Sequence, residues 1–202
     1  IGSECAEYET ITTLFQNGLA ASTDPISLAG EPIRSFPLER ELTVSAPTAL
    51  SDAQGNAYVV RPGAILHLAR TRQQSRHDKE RTGNKVTAGD FATAWLSHGK
   101  APRDASYHYA IIPGGRPNLV AKATSPDPGY EILRRDAAAH GVTDRLSGST
   151  AFAVFEGGLL GHDLLYAVDR RCFLICRSRS ADDPRRELAV ADPNLNYRGK
   201  GP

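Results

Sequence analysis

Short runs of β-branched and aromatic residues, cut every few positions by Gly, Pro, Asn or Asp, fill the 202 residues from end to end. That pattern constrains the fold more than any other feature, because such runs pair as strands and such breaks turn the chain. Thr10 to Gln16 is rich in Thr and Ile, and Glu41 to Ser45 alternates. Ser51 to Asn56 is a turn cluster, followed by Ala57–Val60 and Ala64–Ala69. Its Gly and Asn tolerate positive φ, so it reads as a hairpin turn. Phe91 to Ser97 is apolar again, and Ser106 to Ile112 puts Tyr107, Tyr109 and Ile111 on one face by period-two spacing. Tyr130–Arg134, Ala151–Phe155, Leu164–Val168, Cys172–Cys176 and Glu187–Val190 read as further strands. Residues 136–140 fit one helical turn that Gly141 stops, and no longer helix emerges.

Many short strands with turn signals predict an all-β chain of β-sandwich architecture in two units. The strongest break, Pro113 to Asn118, marks the expected boundary, giving units over 1–115 and 119–202. Residues 70–90 are polar, basic and without periodicity, so they read as a long loop of the kind that carries binding function.

Charge is uneven. Net charge is +1, yet residues 1–68 hold eight acidic against three basic side chains. The compensating excess gathers at 69–85 and near the C-terminal end. Near-neutrality argues against a protein built wholly around nucleic acid, and no apolar run reaches the roughly 18–20 residues of a membrane-spanning helix. No membrane partner is expected. Arg70, Arg72, Arg76, His77, Lys79 and Arg81 form the candidate contact for an acidic polymer, since a guanidinium fork bonds two oxygens of a sulfate or carboxylate at once. No Phe, Tyr or Trp lies within 69–85, which ranks nucleic acid last among polyanions.

Other chemistry is sparse. Cys5, Cys172 and Cys176 are too few for a disulfide framework, and the last two would share one strand face as small buried hydrophobes. The histidines at 67, 77, 98, 108, 140 and 162 show no metal-binding spacing, so neither metal nor cofactor is expected. Nucleotide, hydrolase and calcium motifs are absent.

One string is recognisable: Phe91, Trp95, His98-Gly99, Pro102, Tyr107-x-Tyr109 and Pro113-Gly114, in that order. It resembles the family-eight polysaccharide lyases, in which a His-Gly strand end turns through Pro into a Tyr-x-Tyr strand closing with Pro-Gly. Ile11–Gln16, Asp52–Tyr58, Gly89–Phe91, Tyr130–Asp136, Leu146–Phe152 and Asp192–Asn196 extend the likeness in order, toward the chondroitin sulfate ABC branch.

The resemblance implies part of a central β-sandwich of the supersandwich type, followed by a smaller C-terminal β-sandwich domain. Family chemistry is β-elimination at a uronic acid, and its Asn, His, Tyr and Arg set belongs to an N-terminal helical toroid with no counterpart here. The chain then looks like an internal piece, none of whose matching positions is catalytic. The implied partners are an acidic polysaccharide of the glycosaminoglycan class and the missing helical catalytic domain, in a secreted or periplasmic setting. The alternative is a free-standing carbohydrate-binding sandwich.

Overall fold

The computed structural model describes residues 8–76, 86–103, 105–162, 165–178 and 185–193. The chain divides into two units, Ile1–Pro126 and Asp127–Pro202. It is all-β apart from one short helix and a 3-10 turn among the described residues.

Among its described residues the first unit holds nine strands: β1 (Glu9–Gly18), β2 (Ile26–Leu28), β3 (Glu31–Ile33), β4 (Leu38–Thr43), β5 (Thr48–Ser51), β6 (Ala57–Val60), β7 (Ile65–Arg76), β8 (Val86–Lys100) and β9 (Tyr109–Ile112). They form two antiparallel sheets, ordered β1-β8-β7-β4 and β3-β2-β5-β6-β9. Period-two alternation sends Ala92, Ala94 and Leu96 of β8 and Leu66 and Leu68 of β7 inward. There they meet Ile26, Leu28, Leu50, Tyr58 and Val60 of the second sheet in one core cluster. In β1 the pairing with β8 slips between Thr13 and Phe15, a bulge that lets the neighbours Leu14 and Phe15 both point inward.

β6 is buried at all four positions, which is why Ala57-Tyr58-Val59-Val60 reads as unbroken apolar sequence. Tyr58 and Val60 face the sandwich core, whereas Ala57 and Val59 pack with Ile112 and Ala123. Ala123 belongs to α1 (Pro117–Thr124), whose Leu119 and Val120 add to that second cluster. The break at Pro113–Asn118 is therefore a 3-10 turn, Pro113–Gly115, running into α1. Pro117 supplies the fixed φ that suits a first helical position. Gly115 is required sterically, because a Cβ there would lie 2.5 Å from the Gly55 carbonyl oxygen.

That carbonyl belongs to the expected hairpin turn, which joins β5 to β6. Asp52, 4% exposed, organises it. Its Oδ1 accepts the amides of Gln54 and Asn56 at 2.9 and 2.8 Å, and its Oδ2 accepts Asn56 Nδ2 at 3.0 Å and the Tyr58 hydroxyl at 3.3 Å. Burial, with the adjoining Asp52 charge, pushes the Tyr58 phenol above its ordinary range.

The structure corrects the expected loop at 70–90. β7 continues to Arg76 and β8 starts at Val86, with Arg72 opposite Asp90 and Ser75 opposite Thr87. Beyond Arg70, β4 no longer pairs with β7, and beyond Phe91, β1 no longer pairs with β8. A two-stranded ribbon needs no buried face, so its sequence need not alternate.

The second unit contains β10 (Tyr130–Arg135), β11 (Ala139–Asp144), β12 (Ser149–Val154), β13 (Gly158–His162), β14 (Leu165–Val168), β15 (Cys172–Ser178) and β16 (Arg186–Ala191). The order β10-β11-β12-β15-β16 is antiparallel throughout, and β13 and β14 make a separate hairpin. Leu160 and Leu165 of the hairpin pack on Phe152, Val154, Cys172, Leu174 and Cys176. The two cysteines do share a buried face, and burial pushes the Cys172 thiol up, away from the reactive thiolate. The turn expected at 136–140 is no helix. Asp136 accepts the amides of Ala138 and Ala139 at 2.8 and 2.9 Å and then releases the chain into β11. Cys5 and residues 194–196 of the resembling Asp192–Asn196 turn lie outside the described residues.

Two outcomes follow from these contacts. The Arg134 guanidinium, first among its causes, holds the Asp136 carboxyl down at about 2. A depressed folded value means that its contribution is whole above the ordinary carboxylate range and disappears as pH falls from about 4 toward 2. A carboxyl-carbon NMR titration will show a midpoint near 2 in the native protein, and Arg134→Gln will move it upward. Arg70 is fully buried, with its guanidinium bound to three carbonyls. Arg70→Met will destabilise the first unit by about 3 kcal/mol or more in urea unfolding, because buried carbonyls lose their donors. The exposed Arg72→Gln will stay within about 1 kcal/mol.

Candidate functional site

The basic segment at 70–81 separates into unlike parts. Arg70 does not contact a polymer. It continues the inward series Leu66, Leu68, Arg70 on β7 and has no exposed surface. Its Nη1 donates to the Ile33 carbonyl at 2.5 Å, and its Nη2 to the carbonyls of Ser22 and Asp24, both at 2.6 Å. Burial lowers its pKa, opposed by the nearby Asp24 charge. Arg72 is exposed on the ribbon, and its Nη1 lies 3.2 Å from Asp90 Oδ1 across the strand pair. Arg76 pairs with Val86 through its backbone, and its side chain lies outside the described residues, as do His77, Lys79 and Arg81. Of the six, Arg72 is the described side chain open to a ligand.

Two histidine–aromatic groups flank this ribbon in sequence. His67 of β7 stacks on Trp95 of β8, ring centroids 4.9 Å apart and 7° from parallel. The pair exists because the register sets His67 opposite Trp95, and it also sets Glu41 opposite His67, with Glu41 Oε2 3.5 Å from Nε2. These residues occupy the sheet face away from Leu66, Leu68, Ala94 and Leu96.

Further along β8, His98 Nε2 lies 2.8 Å from Thr12 Oγ1, and its ring stacks on Tyr107 at 5.1 Å. Tyr107, just ahead of β9, in turn stacks on Tyr109 at 6.1 Å. His98 therefore closes a polar and aromatic ladder from β8 to the segment entering β9. Stacking of this kind is packing. Proton transfer between imidazole and phenol runs in the ring plane, along N–H and O–H bonds, and needs hydrogen-bond contact. Among the described residues no group of three or more His, Cys, Asp and Glu is placed to hold a metal ion.

Three kinds of comparison bear on this architecture. The sequence pattern of polysaccharide lyase family 8, super-sandwich domain, matches residues 2–123. A chondroitin sulfate ABC endolyase of Proteus vulgaris is 29% identical over 72% of this chain and 14% of its own length. A chondroitin sulfate ABC exolyase of the same organism is 28% identical over 99% of this chain and 19% of its own. A Bacteroides thetaiotaomicron exolyase reaches 39% identity over 57% of this chain and 11% of its own. The chain thus spans less than a fifth of the length of these relatives. In three dimensions, Paenibacillus xanthan lyase superposes with a TM-score of 0.74 at 20% identity, covering 92% of this chain and 18% of that one. A chondroitinase AC lyase gives 0.70 at 19% identity, covering 92% and 27%. At those identities the likeness is one of fold.

The Arg72–Asp90 pair yields a measurable consequence. Asp90→Asn removes the partner that neutralises Arg72, so salt-gradient elution from a sulfated-polysaccharide column will come later than for the parent chain. Arg72→Gln will come earlier. Identical elution of all three would exclude the ribbon as a polyanion contact.

Proposed function

The chain belongs to polysaccharide lyase family 8, and from that membership we propose that it is the non-catalytic β-sandwich portion of a glycosaminoglycan lyase of the chondroitin or hyaluronan type. The observation that carries the reading is the match of the super-sandwich pattern to residues 2–123, the stretch that folds as the two-sheet first unit. Similarity to chondroitin sulfate lyases along 99% of the chain supports the substrate class.

β-Elimination at a uronate requires three groups around one sugar. One neutralises the carboxylate, one removes the C5 proton and one protonates the departing oxygen. The nearest resemblance to such a set here is His98 with Tyr107, and both rings serve the Thr12–His98–Tyr107–Tyr109 ladder. In this reading the sandwich scaffolds a helical domain that supplies the reacting groups, and the exposed ribbon beside Arg72 meets the acidic polymer. A lyase for so large a polymer meets its substrate outside the cytoplasm, so a secreted or periplasmic setting goes with the reading.

Incubation of the full chain with chondroitin sulfate, followed by ultraviolet absorbance of unsaturated uronate, will show no product. Adding back the upstream coding sequence will restore turnover if it encodes a helical toroid. Robust turnover by the 202 residues alone would overturn the assignment and place the chemistry within them.

A further inference from the structure

Three turns of the second unit converge. The β10–β11 turn carries Asp136, fixed by Arg134 and by two backbone amides. The β12–β13 turn carries Phe155, Glu156 and Gly157, and both the Phe155 and Glu156 amides donate to the Ala138 carbonyl, at 2.8 and 3.1 Å. The β14–β15 turn carries Asp169, Arg170 and Arg171. Gly157 presses against this last turn backbone to backbone, since a Cβ there would lie 2.5 Å from the Asp169 carbonyl oxygen. With Asp192, just past β16, these turns enclose an open cleft of about 740 Å³. Its walls are set by hydrogen bonds and by one obligatory glycine, so the cleft is built before any ligand arrives.

The lining is chemically mixed. Phe155 is 45% exposed, and His140 meets it at right angles with centroids 5.1 Å apart, which steadies the ring while leaving much of it open. Arg170 is committed to Asp169, Nη2 to Oδ2 at 2.9 Å, and that bond lowers the Asp169 carboxyl. Arg171 has neither hydrogen bond nor ion pair among the described residues and is exposed. Glu156 and Asp192 add two carboxylates to the same wall. An open aromatic ring suits the C–H face of a pyranose, carboxylates accept from vicinal hydroxyls, and one free guanidinium takes one carboxylate. The Glu156 and Asp192 carboxylates beside Arg171 oppose a sulfate-dense chain.

We propose that this cleft is a saccharide-binding site for oligosaccharides carrying one carboxylate per disaccharide and free vicinal hydroxyls. Phe155 stacks on a sugar ring, Arg171 binds the uronate, and Glu156 and Asp192 accept its hydroxyl hydrogens. The ligand class rests on the lyase reading above. The site itself rests on the cleft, and it would give the second unit a hold on the polymer separate from the ribbon of the first.

Amide NMR spectra of the full chain, titrated with an unsulfated chondroitin tetrasaccharide, test this. Shifts will concentrate at 155–157 and 170–171. Arg171→Ala, a surface change that leaves the fold intact, will weaken binding about tenfold, as expected for one charge-assisted contact. Phe155→Leu, which keeps apolar volume without an aromatic face, will weaken it similarly, whereas Arg40→Gln, at an exposed position of β4, will leave it unchanged. A neutral tetrasaccharide and a heparin tetrasaccharide will both bind less tightly. Absence of shifts at these amides at millimolar tetrasaccharide would remove the site. Equal binding of the neutral sugar, or tighter binding of heparin, would overturn the ligand assignment. Neither result touches the reading of the chain as a non-catalytic portion of a lyase, which fails on turnover by the 202 residues alone.

Discussion

A buried cation held by backbone carbonyls anchors the first unit. Arg70 follows Leu66 and Leu68 on the inward face of β7. Its guanidinium reaches the backbone before β2, at Ser22 and Asp24, and the last residue of β3, at Ile33. One side chain thus joins the four-stranded sheet to the edge of the five-stranded one. Desolvation opposes the charge, and three aligned carbonyl dipoles oppose the desolvation. The bonds are directional where apolar packing is not, so they fix one position of the β2–β3 hairpin relative to β7 among the several that greasy contact would tolerate. The Arg70 Nε, buried without a partner, shows that this geometry serves the carbonyls ahead of the arginine's own full satisfaction.

Two further devices complete the frame. β6 is the strand two cores share, with the sandwich core on one face and α1 on the other. The Asp52 turn leads into it and is held from the far side by the Gly114 amide, which donates to Asn56 Oδ1 at 3.2 Å. Both sheets, the helix and two turns therefore depend on short-range polar contacts at the margins of an ordinary apolar core. The ribbon beyond Arg70 and Phe91 lies outside this network. It holds together through its own strand ladder and through side-chain bonds such as Gln16 to Gln73 at 2.7 Å and Gln73 to Thr93 at 3.3 Å. A scaffold with a firm frame and an exposed ribbon suits a domain that must support something else while touching a polymer.

Much of the fold was legible in the residues. The strands around Thr10–Gln16, Ala57–Val60, Phe91–Ser97 and Cys172–Cys176 follow from alternation or apolar runs. The Gly-Asn hairpin and the shared face of the two cysteines follow from turn chemistry and strand period. What could not be read was non-local. The His67–Trp95 stack arises from the register of β7 against β8, which no local window contains. The ribbon strands at 72–76 and 86–90 have no covered face to impose alternation, so they look like loop to any test of periodicity. α1 is too short for its Leu119, Val120 and Ala123 stripe to stand out beside a Pro-Gly-Gly break. The candidate site suffered most, because an arginine count does not distinguish a guanidinium facing water from one enclosed in the core.

That distinction extends over the whole molecule. Arg70 is bound to carbonyls, Arg72 to Asp90, Arg134 to Asp136, Arg145 to Asp127, Arg170 to Asp169 and Arg177 to Glu187. Among these six described guanidiniums, five are thus ion-paired at their own positions in the fold and Arg70 is held by carbonyls. A polyanion does not sense the sum over a segment. It senses the cations left over after pairing, at the spacing the strands give them, and it must displace a carboxylate to reach the rest. In the proposed cleft, affinity for an acidic polymer comes from the exposed Arg171, and selectivity from the carboxylates beside it. In such a site, sulfate density and uronate content would be separable quantities, which a uniformly basic patch is unable to tell apart.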